Sequence, residues 1–351
     1  MLAYAIADRA HSRLSAVQIF PASTLAPTEI RVEMEASSIN PIDRLLVKGY
    51  GSALVNPRGH FPRILGRDGV GTITAIGSAV RHLHVGQRVV LAVSPRRDGT
   101  YAEQVTIQSS CACAISDALA SDAAAVIGYA GSTAVQALWA AYLDPAGSQG
   151  RRLMIHGASG GLGTIAVQIA ARWGAQVTAV CSRRNHAWLK ELGASQTMDY
   201  EEALGLRVLP ADSVVNFATP DSKGSDRRAD PLLAALQRTD GRRAYATVIT
   251  PTLGLVTQHG VVPGLLRAGV DLARRKAGAL LNNVRYSQVL FREDPKALAT
   301  VVDFFSTPGA QSVVRRAIAA ETLPAEFSDN AELRTPGKTL VHLFPRSPAP
   351  R

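Results

Sequence analysis

The run Leu153-Met154-Ile155-His156-Gly157-Ala158-Ser159-Gly160-Gly161-Leu162-Gly163 leads straight into Thr164-Ile165-Ala166-Val167-Gln168-Ile169-Ala170. A short apolar stretch reads as a buried parallel strand and the glycines as a tight turn. Ile165 and Ile169, four apart, share a helix face that can pack on a sheet. A helix start carries N–H groups without partners, which attract an anion, and glycines let a pyrophosphate approach the backbone. Gly157, Ser159, Gly160, Gly161, Leu162 and Gly163 are therefore the candidate pyrophosphate-binding residues. Such turns also occur in other parallel α/β proteins, but here Gly174 closes the helix and a second strand, Gln176 to Cys181, completes the βαβ unit.

The end of that second strand discriminates between dinucleotides. A carboxylate there accepts hydrogen bonds from a ribose 2′-hydroxyl and repels a 2′-phosphate. No acidic residue lies between Gly163 and Lys190, and the chain offers Ser182, Arg183 and Arg184 instead. Guanidinium groups match phosphate oxygens in charge and geometry, so NADPH is the expected cofactor. The competing reading is that these arginines are solvated loop residues in an arginine-rich chain.

The rest of the chain must supply the elements that position this turn and bring a substrate to it. At 351 residues it exceeds one dinucleotide-binding domain, so a second domain is expected. Short strand candidates at Ile30 to Met34, Gly71 to Ile76, Arg88 to Ala92 and Ala102 to Ile107 are punctuated by Gly, Pro and charged residues. That is a β-rich region. From Asp122 to Ala141 the sequence turns Ala-rich and helical. Strands at Leu153 to His156, Gln176 to Cys181, Ser213 to Ala218 and Tyr245 to Ile249 then alternate with helices, the pattern of a doubly wound parallel sheet. A helix from Pro295 through Phe305 and a strand Thr339 to Phe344 suggest a return to the first domain. The expected division is 1–122 with 294–351 for the β-rich domain and 123–293 for the cofactor domain.

With 38 Lys and Arg against 28 Asp and Glu, the net charge is +10. The arginines are dispersed in pairs with no long block and no aromatic platform, so no specific nucleic-acid partner is expected. No run of eighteen apolar residues exists, and no membrane partner is expected. The first fifteen residues carry Asp8, Arg9 and Arg13 and lack the apolar core of a signal peptide. The three cysteines, Cys111, Cys113 and Cys181, fit a reducing compartment, and a cytoplasmic location is expected. Cys111 and Cys113, on one strand, would face the same way, and His82 with His84 form another close pair. Two ligands do not make a zinc site, so no metal is expected.

Taken in order, several stretches resemble the medium-chain dehydrogenase/reductase superfamily, in its zinc-independent quinone oxidoreductase branch. They are Asn40-Pro41-Ile42-Asp43, Pro62 to Gly71, Val85 to Val89, Gly99 to Glu103, Ser132 to Leu138, the glycine turn, Leu192-Gly193-Ala194 with Asp199-Tyr200, and Gly337-Lys338. The resemblance implies a GroES-like β-rich catalytic domain, a Rossmann cofactor domain inserted in it, and an active site in the cleft. Zinc-dependent relatives carry Gly-His-Glu where this chain has Gly66-Arg67-Asp68, and a cysteine where it runs Ser37-Ser38-Ile39-Asn40. The chemistry implied without a metal is hydride delivery from NADPH to a quinone or an α,β-unsaturated carbonyl, a small-molecule substrate.

By the same resemblance Asn40 sits at the nicotinamide end of the site, Thr133 touches the nicotinamide or phosphates, and Val248 backs the ring. Ser182, Arg183, Lys190 and Tyr200 surround the 2′-phosphate. Asn40 before Pro41 could equally make only a turn, and Asp43 could be a structural acceptor of backbone N–H groups. Leu45 stands where these relatives often have an active-site tyrosine, and Tyr50 is the candidate substitute. Two other functions fit the same residues: an enoyl-thioester reductase of lipid or polyketide assembly, and an NADPH-binding protein with little turnover that contacts RNA or another partner. Val284 to Phe291 could be an edge strand that pairs two copies into a homodimer.

Overall fold

A computed structural model describes residues 1–8, 13–21, 23–218, 230–236, 243–328 and 336–344. The chain forms two compact units: Met1–Ser132 with Val256–Val261 and Phe291–Arg351, and Thr133–Leu255 with Val262–Leu290. The sequence also predicts a polar loop from Asp221 to Asp230, which, except for Asp230, lies outside the described residues.

The first unit is built of strands β1 (Leu2–Ile6), β2 (Leu14–Gln18), β3 (Glu29–Ile39), β4 (Arg63–Ile64), β5 (Asp68–Ile76), β6 (Arg88–Ala92), β7 (Gln104–Gln108) and β8 (Ala112–Ala114). A three-stranded sheet runs β2-β1-β4. β3 is the long central strand of the larger sheet, and its alternate residues Ile30, Val32, Met34 and Ala36 are buried, as a half-buried strand requires. β5 pairs antiparallel with it in a register that sets Ser38 opposite Asp68. Immediately beyond β3, Asn40 has extended backbone and Pro41 opens helix α1 (Pro41–Val47), the position where proline's missing N–H costs nothing.

The second unit is a six-stranded, wholly parallel sheet. Its strands are β9 (Arg152–His156), β10 (Gln176–Val180), β11 (Gln196–Met198), β12 (Ser213–Asn216), β13 (Arg243–Thr247) and β14 (Val284–Gln288), in the order β11-β10-β9-β12-β13-β14. All of β12 and β13 is buried, as in the centre of a parallel sheet covered on both faces. β14 pairs with β13 at an edge of the sheet. The doubly wound sheet and the β-rich unit expected from the sequence are both present.

The chain then returns to the first unit with β15 (Val314–Ala319) and β16 (Lys338–His342). β16 runs antiparallel to β3, with Leu340 opposite Ser38 and Thr339 opposite Ile39. The sheet order is β15-β16-β3-β5-β6-β8, with β7 also on β3.

Two expectations are corrected. The helical stretch from Asp122 to Ala141 is interrupted into a turn at Ser121–Ala124 and helix α2 (Gly128–Ala140). A Cβ on Gly128 would run into the carbonyl of Leu91 on β6, so α2 can start there only with glycine. Cys111 and Cys113 do not share a strand: Cys111 ends a 3₁₀ turn and only Cys113 lies on β8.

Candidate functional site

In the β-rich unit, four elements distant in sequence converge on one carboxylate. Asp68 is fully buried at the start of β5. Its Oδ2 accepts hydrogen bonds from Ser38 Oγ at 2.7 Å, Asn40 Nδ2 at 2.8 Å and Lys338 Nζ at 2.8 Å. Its Oδ1 accepts from the backbone N–H groups of Tyr129 and Ala130, at the start of α2, where a negative charge is favoured by the helix dipole. Five donors on one carboxylate offset much of the cost of burying its charge.

Lys338 is also buried, and besides Asp68 its ammonium donates to Asn40 Oδ1 at 2.7 Å and to the carbonyl of Ile39 at 3.3 Å. Its three N–H groups are thus all in use. The Asn40 amide is held at both ends: oxygen toward a cation, nitrogen toward an anion. The reversed amide would set NH₂ against ammonium and oxygen against carboxylate, so charge alone fixes the orientation. One Nδ2 hydrogen of Asn40 stays uncommitted among the described residues.

A second buried pair lies beside the first. Arg67 Nε meets Asp43 Oδ1 at 3.2 Å with both side chains fully buried, and its other nitrogens donate to the carbonyls of Ile64, Ser94 and Arg97. Asp43 additionally accepts from the backbone N–H groups of Asn40 and Gly66. Burial pushes the Asp43 carboxyl up, and Arg67 with the two backbone donors opposes that rise. Asp43 is therefore the structural acceptor that ties α1 to the start of β5. Gly66 has φ +93°, and a Cβ there would meet the Tyr101 ring at 2.6 Å, so this close approach needs glycine. The other catalytic candidate of this unit, Tyr50, lies in the turn after α1, about one third exposed, with Leu45 similarly exposed. Nothing links the Tyr50 side chain to the Asn40 cluster among the described contacts.

In the parallel-sheet unit the glycine run forms the turn between β9 and helix α3 (Gly161–Arg172). Gly157 has φ +79°, with Ala218 2.8 Å from where its Cβ would lie. A Cβ on Gly163 would strike Gly157 O and Ala158, so the helix packs close on the strand end. Gly160 is the extended N-cap, and Ser159, Gly160, Gly161 and Leu162 are half-buried around the helix start. The first N–H groups of such a helix have no carbonyl within it to bond. Thr133 is buried in α2, and Val248 is half-buried just past the end of β13, which closes two residues earlier than Ile249.

Ser182 and Arg183 follow β10 and are exposed. Pairing of β10 with β11 brings Asp199 beside them, and Arg183 forms an ion pair with it at 2.8 Å, with His186 3.4 Å from the same carboxylate. The stretch up to Lys190 contains no acid, but the neighbouring strand delivers one. Tyr200, next in sequence, packs edge-on against His156, ring centroids 5.1 Å apart. Lys190 is exposed on the following helix and makes no ion pair with these residues among those described.

Sequence reasoning missed a polar chain at the carboxyl ends of the strands. Ala218 N–H donates to Asn216 Oδ1 at 3.0 Å, which fixes that atom as the acceptor. His156 Nδ1, at 3.0 Å from the same oxygen, therefore carries the proton. Asn216 Nδ2 donates to the Tyr245 hydroxyl at 2.9 Å, and Tyr245 donates to Asp230, whose other oxygen caps the helix Pro231–Ala235. Burial lowers the His156 pKa below its ordinary value, so the ring is neutral and its Nε2 presents a lone pair with no partner among the described residues. Burial raises the Cys111 thiol to about 12, and Cys113 and Cys181 to about 11. None of the three is a thiolate near neutrality. Among the described residues no group of three or more His, Cys, Asp or Glu could hold a metal ion.

The chain matches the alcohol dehydrogenase GroES-like domain over residues 26–143. It is 29% identical to the mouse mitochondrial NAD(P)H oxidoreductase RTN4IP1, over 90% of this chain and 82% of that protein. Its fold matches the quinone oxidoreductase from Coxiella burnetii with TM-score 0.76 at 23% identity, over 98% of this chain and 99% of the other. It also matches the yhdH oxidoreductase of Salmonella enterica, solved in complex with NADP, with TM-score 0.68 at 24% identity, over 98% and 100% of the two chains. The mitochondrial relative overturns the cytoplasmic location expected from the sequence. Few cysteines fit any reducing compartment and do not choose among them.

Proposed function

We propose that the chain, which resembles the zinc-independent quinone-oxidoreductase branch of the medium-chain dehydrogenase/reductase superfamily, transfers a hydride from NADPH to a quinone or an α,β-unsaturated carbonyl. The observation that carries this reading is the Asn40 amide held between Lys338 and Asp68. It occupies the region where zinc-dependent relatives place metal ligands, and it offers an oriented N–H donor in place of a Lewis acid.

The glycine turn fits a pyrophosphate: Ser159, Gly160, Gly161, Leu162 and Gly163 surround a helix start, and Gly157 permits the close turn. Arg183, Ser182, Lys190 and Tyr200 are assigned to the adenosine 2′-phosphate, for which Arg183 must share its charge with Asp199. Thr133 and Val248 are assigned to the nicotinamide. Bound NADPH supplies the hydride. When a hydride reaches the β-carbon of an enone, negative charge grows on the carbonyl oxygen, and the free Nδ2 hydrogen of Asn40 is the donor assigned to it. Lys338 has no hydrogen left to give, so the proton that completes the product comes from solvent. Lys338 and Asp68 are positioning residues, and Tyr50 is a further candidate donor from the turn after α1.

Oxidation of NADPH, with NADH in parallel, against quinones, enones and enoyl thioesters tests this reading. Turnover with NADPH on a quinone or enone supports it. An Asn40→Ala variant is expected to lose about a hundredfold in kcat/KM with NADPH affinity retained, the size seen when an oxyanion donor is removed. Preference for enoyl thioesters moves the assignment to carrier-bound substrates. Tight NADPH binding without oxidation moves it to a binding protein.

A further inference from the structure

Helix α4 (Val261–Leu280) is the longest among the described residues, and one of its faces is exposed. Gly264, Ala268 and Ala279 are buried. Val262, Leu266 and Val270, spaced by four, are 67%, 65% and 61% exposed, and Leu280 lies on the same face at 73%. Large aliphatic side chains this exposed in one row form a contiguous apolar stripe rather than scattered surface residues.

The stripe is flanked by cations. At 3.6 residues per turn, Arg267 and Arg274 fall along one border and Lys276 along the other. None of these three has an ion-pair partner among the described residues. Arg275 and Asp271 pair with each other at 2.9 Å on the remaining side. Arg267 and Arg274 line the same shallow surface depression as Leu266 and Val270. An apolar stripe bordered by basic residues on a helix of low net hydrophobicity is the pattern of a helix that lies in a lipid interface. Among the described residues no helix is long and apolar enough to cross a membrane, so the contact would be with the surface.

We propose that this face of α4 docks the protein, peripherally and reversibly, on an anionic lipid bilayer. The apolar row enters the headgroup boundary while Arg267, Arg274 and Lys276 meet lipid phosphates. A second copy of the chain is the competing occupant and would show itself as a dimer in solution. The proposal departs from the sequence expectation of no membrane partner.

Cosedimentation of the full chain with vesicles of phosphatidylcholine alone, and of phosphatidylcholine mixed with phosphatidylglycerol, is the test. Binding is expected only with the anionic vesicles and is weakened by salt. Arg267→Gln and Arg274→Gln should each reduce the partition coefficient about fivefold, and together about thirtyfold. Leu266→Asp should reduce it by at least about tenfold. Melting temperatures run alongside, and the two charge variants, at exposed positions, keep the test readable if Leu266→Asp destabilises the fold. No preference for anionic vesicles, or equal binding by the variants, overturns the proposal. A dimer in sedimentation velocity that Leu266→Asp dissolves, without vesicle binding, gives the face to a second copy instead.

Discussion

The two units bury polar side chains by opposite means. In the β-rich unit the cluster is ionic: Lys338 with Asp68 and Arg67 with Asp43, each ion saturated by further donors or carbonyls. In the parallel-sheet unit, apart from the buried Arg243, His156, Asn216 and Tyr245 form a neutral relay that ends on the carboxylate of Asp230. An ionic cluster fixes orientation by sign, as it does for the Asn40 amide. A neutral relay fixes it by the direction of each hydrogen, as it does for the His156 tautomer. The first should therefore be costly to break at any member, and the second more tolerant.

The sharpest way to break this contrast is Arg67→Met, which leaves Asp43 charged and buried. We expect a loss of about 3–5 kcal/mol in urea unfolding, partly recovered by Asp43→Asn in the same chain. Lys338→Met should cost about 3 kcal/mol, since Asp68 keeps four other donors, and should lower kcat while leaving NADPH affinity unchanged. Partial recovery of kcat in Lys338→Arg would mark a positioning role rather than a merely structural one. On the neutral side, Tyr245→Phe removes the link to Asp230 and should cost about 1–3 kcal/mol. A cost equal to that of Arg67→Met would erase the distinction.

The smallest effect is on pH dependence. His156 titrates below its ordinary value of 6.5 in the folded chain and near that value when unfolded. As pH falls below about 6.5 the unfolded chain takes up the proton first, so stability should decline until the folded pKa is passed. A His156→Gln variant should show a shallower decline, measured by melting temperature between neutral pH and pH about 5.

What could be read in the sequence follows the same division. The glycine turn is local: strand, turn and helix are consecutive, and the need for Gly163 is set by Gly157 and Ala158, although Gly157 itself packs against the distant Ala218. Asn40-Pro41, read as a turn, in fact opens helix α1. Lys338 appeared only as part of a family motif, because its partner Asp68 is 270 residues away and meets it only through the pairing of β16 and β5 with β3. The absence of an acid after β10 was read correctly along the chain, yet Asp199 arrives from the adjacent parallel strand. His156 did carry a signal that went unused. It aligns with Asn216 and Asn216 with Thr247, a row of polar residues closing three neighbouring buried strands.

The late arrival of β16 has a consequence for synthesis. The described strands of the parallel sheet all precede Gln288 in the chain, whereas Asp68 receives its ammonium only when Lys338 leaves the ribosome. Until then the β-rich unit holds a carboxylate that has lost water without gaining its cation, so the part translated first is the part completed last. A nascent chain stalled before Gly337 should thus display a protease-resistant parallel-sheet unit on an unfinished β-rich one.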